Sequence, residues 1–116
     1  MTRYLLVRAA AFHLLIDANL VASVGDAAVP DGVDVSRALH GGPALVFVTL
    51  GGASRVRQVG VDAVHGLIDL AEAELGPLPA LSAAAGEDID AVTLSPHHGA
   101  HAFRLRLDRS SAITTT

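Results

Sequence analysis

The chain has 116 residues, a net charge of −4 and no cysteine, and 51% of its residues are apolar although only 3% are aromatic. That length suits one domain burying about two-thirds of its unfolded surface. The acidic balance lacks the basic footprint of nucleic-acid binding, the absent cysteines exclude disulfides, thiol catalysis and Cys-based zinc sites, and no run reaches the ~18 apolar residues of a membrane span.

The first 27 residues superficially resemble an export signal, but Arg8, His13 and Asp17 break the apolar run. Strands account for it better, so a cytoplasmic protein is expected. Tyr4 to Arg8 reads as a strand, Ala9 to Ala11 as a tight connection and Phe12 to Ile16 as the hairpin partner. Asp17-Ala18-Asn19 is turn chemistry, and Leu20 to Val24 form a short apolar segment after it. Gly25 to Gly32 is a loop by composition. Val33-Asp34-Val35 is short and extended; Asp34 or Ser36 caps a helical turn through Leu39, which His40-Gly41-Gly42-Pro43 ends.

Ala44 to Leu50 is apolar on both faces, the pattern of a central strand. Gly51 to Ser54 is a hairpin loop, and Arg55 to Val61 the return strand. Val56 is out of phase with Val59 and Val61, which predicts a bulge near Arg57 and Gln58. Ala63 to Leu70 reads as a further strand, and Glu72 to Gly76 is short and ambiguous. Ser82 to Asp88 is a loop, Ile89 to Leu94 a strand and Ser95 to Ala100 a turn. From Ala102 to Leu107, Phe103, Leu105 and Leu107 alternate with Arg104 and Arg106, a clear strand pattern. The tail from Arg109 to Thr116 is polar and frayed. Seven to nine short strands with little helix indicate a small all-β barrel or pair of barrels.

No nucleophile, metal cage or phosphate loop interrupts Leu45 to Pro79, so a binding module is favoured over an enzyme, with no cofactor. His97, His98 and His101 are the metal-capable cluster, which Asp90 or Asp108 could join; an exposed turn is the preferred reading. Asp62 among apolar residues has the setting of a general base, but lacks a partner. His65, three residues on, falls on the opposite strand face. An Asp at a strand bend accepting backbone N–H groups is favoured. Asp17 and Asn19 read as turn residues, and His13 as a core or edge residue. His40-Gly41-Gly42 lacks the Lys and Ser/Thr of a phosphate loop. Ser36, Ser54, Ser82 and Ser95 have no Gly-x-Ser-x-Gly context. Gly60 and Gly66 permit close backbone approach or bends.

The ordered set of segments resembles the CheW family of bacterial chemotaxis coupling proteins. Tyr4-Leu5-Leu6-Val7 with Phe12 to Ile16 resembles the family's opening hairpin. Leu20 to Val24 resembles the segment that follows it. Val33-Asp34-Val35-Ser36-Arg37-Ala38-Leu39 resembles its Val-Asp-Leu and helical turn. Gln58 to Gly66 resembles its Val-Asp-x-Val strand, and Pro77-Leu78-Pro79, Ile89 to Val92 and Phe103 to Asp108 follow in the family's order.

The resemblance implies two intertwined, SH3-like five-stranded barrels and a non-enzymatic adaptor. Its partners would be a histidine kinase regulatory domain and a chemoreceptor tip. Partner contacts would fall on Val21, Val24, Val35, Val61, Asp62, Val64 and Leu67. Residues 1–43 would hold elements of a shortened first subdomain, and 44–108 the second subdomain with closing strands. One departure stands out: GDAAVPDG replaces a longer segment with an Asn-Leu-Arg-Gly-like motif, so the first barrel should lack a strand. The alternatives are a small-ligand or metal-binding barrel, and a homodimer that completes its barrel through an open strand edge.

Overall fold

The computed structural model describes residues 1–51, 54, 56–77 and 89–107. Among them the elements run β1 (Thr2–Ala9), β2 (Phe12–Asp17), β3 (Val21–Gly25), β4 (Val33–Asp34), α1 (Val35–Ala38), β5 (Val46–Leu50), β6 (Gln58–Val61), β7 (Ala63–Leu70), β8 (Leu75–Gly76), β9 (Ile89–Thr93) and β10 (Ala102–Leu105). The strands form a six-stranded sheet, β7-β1-β2-β10-β9-β8, and a four-stranded sheet, β3-β5-β6-β4. The smaller sheet is thus inserted in the chain between β2 and β7 of the larger one. Strands on either side of residue 43 share it. It holds four described strands where a complete barrel would need five, and the short 26–32 segment bridges β3 to β4.

The apolar runs of β1 and β2 exist because both faces of the large sheet are covered. Leu5, Val7, Ala9, Leu14 and Ile16 point at the small sheet and pack with its Val48, Leu50, Val59 and Val61. On the opposite face Tyr4, Leu6, Leu15, Leu70 and Ala102 form a second cluster, flanked by Ile68 and Leu75. The hairpin register keeps the two sets apart, with Leu5 opposite Ile16, Leu6 opposite Leu15 and Val7 opposite Leu14. Parallel pairing of β10 with β2, Ala102 opposite His13, then brings the C-terminal strands beside the N-terminal hairpin.

The out-of-phase Val56 is accommodated without a bulge at Arg57 and Gln58. β5 and β6 pair in continuous register from Val46↔Val61 to Thr49↔Gln58. Val56 lies in a bend before the ladder begins, half-buried against the inter-sheet core. Outside a ladder the two-residue alternation no longer applies. The register shifts fall elsewhere, among them Leu6/Val7 against β7 and Arg104/Leu105 against β9. Pairing of β10 stops at Leu105, short of the expected Leu107, although Leu107 is still buried in the core. The Ser82–Asp88 loop, Pro79, Asp108 and the tail lie outside the described residues.

Gln58 explains how the 26–32 segment is held. Its buried Oε1 accepts from Val29 N at 2.9 Å, while Nε2 donates to Ala27 O at 3.0 Å and Thr49 Oγ1 at 3.3 Å. A buried amide with both ends satisfied is stabilising and directional. Gly60 allows the other close approach in this sheet, since a Cβ there would sit 2.6 Å from Ala44 Cβ and 3.1 Å from the Phe47 ring.

Ile16 is fully buried between the sheets, so Ile16→Ala should destabilise the chain by about 2–5 kcal/mol. Urea denaturation checks this: the midpoint should fall while the slope stays the same.

Candidate interaction surface

Asp62 occupies the single position between β6 and β7, where the chain crosses from one sheet to the other. Its backbone N–H donates to Arg8 O at 2.8 Å. Its Oδ2 accepts from Ala10 N at 2.8 Å, and its Oδ1 from the fully buried Ser36 hydroxyl at 2.8 Å. Ala10 needs such support, because the β1–β2 turn places it in the left-handed region at φ 54°, uncommon for a residue with a Cβ. Ser36 sits on α1, which Asp34 caps through Oδ1 accepting from Arg37 N at 2.9 Å. Asp34 Oδ2 also accepts from Ala44 N at 3.2 Å. The favoured reading of Asp62, a bend carboxylate accepting N–H groups, therefore holds, and the serine bond adds a second anchor. Each carboxylate oxygen thus carries one structural hydrogen bond.

The residues assigned to partner contact separate into three kinds. Val61 is 0% exposed and belongs to the inter-sheet core, so its side chain offers nothing to a partner in this structure. Val21, Val35 and Val64 are half-buried against that core. Val24 on β3 and Leu67 on β7 are exposed, at 48% and 59%. The strand pattern could not distinguish these cases, because the face an apolar strand residue covers depends on which sheet lies over it.

Val35 lines a cleft of about 280 Å³ with Leu14, Leu39, Val59, Leu105 and Leu107. The cleft opens beside the inter-sheet core, and its lining is apolar. Beyond Leu67, Asp69 on β7 accepts from Arg3 at 3.0 and 3.3 Å. That hydrogen bond holds the Asp69 carboxyl below the usual carboxylate range and raises the Arg3 guanidinium. Arg104 donates to Tyr4 Oη at 3.2 Å and Glu72 at 3.1 Å, so this arginine is part of the fold's own polar network.

The histidines do not assemble as a metal centre. Among the described residues no group of three or more His, Asp or Glu could hold a metal ion. His97 shapes the turn through its backbone, donating N–H to Ala100 O at 2.8 Å. His101 Nδ1 lies 2.7 Å from Thr93 O. The His98 ring stacks on His65, at 5.1 Å between centroids and 17° between planes. His65 in turn meets His13 at 5.0 Å. This contact joins β2, β7 and the 96–100 turn, and sequence spacing alone gave no sign of it.

Asp62→Ala should destabilise the chain by about 2–4 kcal/mol, since two acceptor bonds to an ionised group are lost, and should abolish exchange protection at the Ala10 amide. Ser36→Ala should cost about 1 kcal/mol and leave that amide protected. Equal losses in the two variants would contradict the role of Asp62 as the shared anchor.

No protein-family model matches the sequence, and no curated protein matches it. Among solved structures, the scaffolding protein TtCheW from Thermoanaerobacter tengcongensis superposes with a TM-score of 0.68 over 92% of this chain and 90% of that one, at 13% identity. The inserted small sheet, the two-faced large sheet and this superposition together establish that the chain has the CheW-like all-β fold.

Proposed function

We propose that this chain is a non-enzymatic signalling adaptor of a chemotaxis-like pathway, coupling a histidine kinase regulatory domain to chemoreceptor tips. The observation that carries the reading is the likeness of fold, along nearly the full length of both chains, to a protein described as a scaffold. Two local features support it. The Asp62 carboxylate has a structural role, accepting from Ala10 N and from the Ser36 hydroxyl. Apolar side chains at Val24 and Leu67 remain exposed on β3 and β7, each an edge strand of its own sheet. Such exposed apolar positions are where a partner gains burial. A stable isolated interface needs roughly 1,200 Å² or more in total, so contacts on separate strand edges would act together in an array.

An NMR titration of the labelled chain with the kinase regulatory domain from the same genome tests the proposal. Shift changes should cluster on Val24 and along Val64 to Leu67, and Leu67→Asp should weaken binding at least about tenfold, or 1.4 kcal/mol, without loss of spectral dispersion. Val61→Asp should instead unfold the chain, since it buries an unpaired charge in the core. A dispersed spectrum that does not respond to the kinase domain would sink the adaptor reading.

A further inference from the structure

Two irregular pieces of backbone aim two imidazoles at each other. On β7, Leu6 is opposite Gly66 and Val7 is opposite Val64, which leaves His65 as the extra residue of a bulge. Gly66 follows at φ 131°, a conformation that L side chains rarely adopt. Bulges commonly re-aim a side chain in this way. In the facing turn, His97 N–H donates to Ala100 O at 2.8 Å and Ala100 N–H to His97 O at 3.3 Å. The two residues between them, His98 at φ 53° and Gly99 at φ 84°, are both left-handed. That is the backbone of a tight hairpin turn, which usually takes Asn or Gly where His98 stands. A histidine held there at the cost of strain has its ring laid flat on His65. His13, largely buried on β2, closes the column at 5.0 Å from His65, with its Nδ1 3.2 Å from His97 O.

The charged surroundings of this column are one-sided. His65 feels His13 from β2, His98 from the turn and Arg8 from β1, all cationic or able to become so. The carboxylates of the neighbouring elements are engaged elsewhere, Asp62 by Ala10 and Ser36 and Asp69 by Arg3. Among the described residues, the charges that act on His65 all oppose a proton on its ring.

We propose that the His13–His65–His98 column is a pH-sensitive latch: neutral rings hold the 96–100 turn against the large sheet, and mild acid releases it. The release is local, because the strands flanking the turn keep their ladder bonds with β2 and each other. Burial, followed by the His13, His98 and Arg8 charges, lowers the His65 pKa below its ordinary value. A group so shifted takes up its proton more readily when the turn is open or the chain unfolded. The docked state is then fully favoured above the ordinary imidazole value of about 6.5 and weakens as pH falls below it. The latch does not depend on the adaptor reading.

The test is a pH titration of the full-length labelled chain by NMR, from pH 8 to 5 with a chelator present. The His65 ring signals should titrate with a midpoint below that of a free imidazole. The amides of His97 to Ala100 should shift in the same step. In His65→Phe, which keeps a ring in the stack but removes its proton, the pH response of those amides should shrink, whereas His98→Ala should leave the turn in its acid-like state at every pH. An ordinary His65 midpoint with unmoved turn amides would overturn the latch. So would an undiminished response in His65→Phe, or His98→Ala amides that match the wild type at high pH.

Discussion

The two sheets are tied to each other at the chain crossing at Asp62. The small sheet leaves the large one after β2 and must rejoin it at β7. At that return, the Asp62 backbone ties to Arg8, and its carboxylate ties the strained β1–β2 turn to the serine of α1. A carboxylate suits the position because it can accept from two donors at once without needing a donor of its own. With the crossing held there, the inward faces of β1 and β2 are brought over β5 and β6, and the inter-sheet core closes.

That closure accounts for the high apolar content of the chain. Large aliphatic residues, chiefly Leu and Val, fill both faces of the large sheet, one against the small sheet and one within its own cluster around Leu6 and Leu15. Among the described residues, the apolar side chains left exposed include Val24, Leu67 and Leu94. An adaptor built this way would have a rigid double core and present its contact residues at the rims, where a small chain has surface to spare. Placing the contacts on rigid strands keeps their ordering cost on binding low.

The histidine column shows a different use of backbone irregularity. A bulge on β7 and a left-handed hairpin turn are each locally costly. They stand face to face, one presenting His65 and the other His98. Such features persist only where the surrounding structure over-determines them.

Much of the fold was legible in the chain itself. The opening hairpin, the capped helical turn at Asp34, the central strand from Val46 and the strand from Ala63 to Leu70 are local consequences of apolar periodicity, turn residues and capping, all of which act within a few residues. The bend role of Asp62 followed from a carboxylate set among strand residues. The supposed bulge at Arg57 and Gln58 failed because pairing simply begins later, and where a ladder begins is decided by the partner strand. Val61 passed for a contact residue because a strand pattern shows that a side chain is apolar, not which sheet covers it. Only the tertiary structure could bring Ser36 to Asp62 and His65 between His13 and His98. These groups are separated in sequence by tens of residues, and their meeting is set by sheet order and by one crossing, neither of which leaves a periodic mark on the chain.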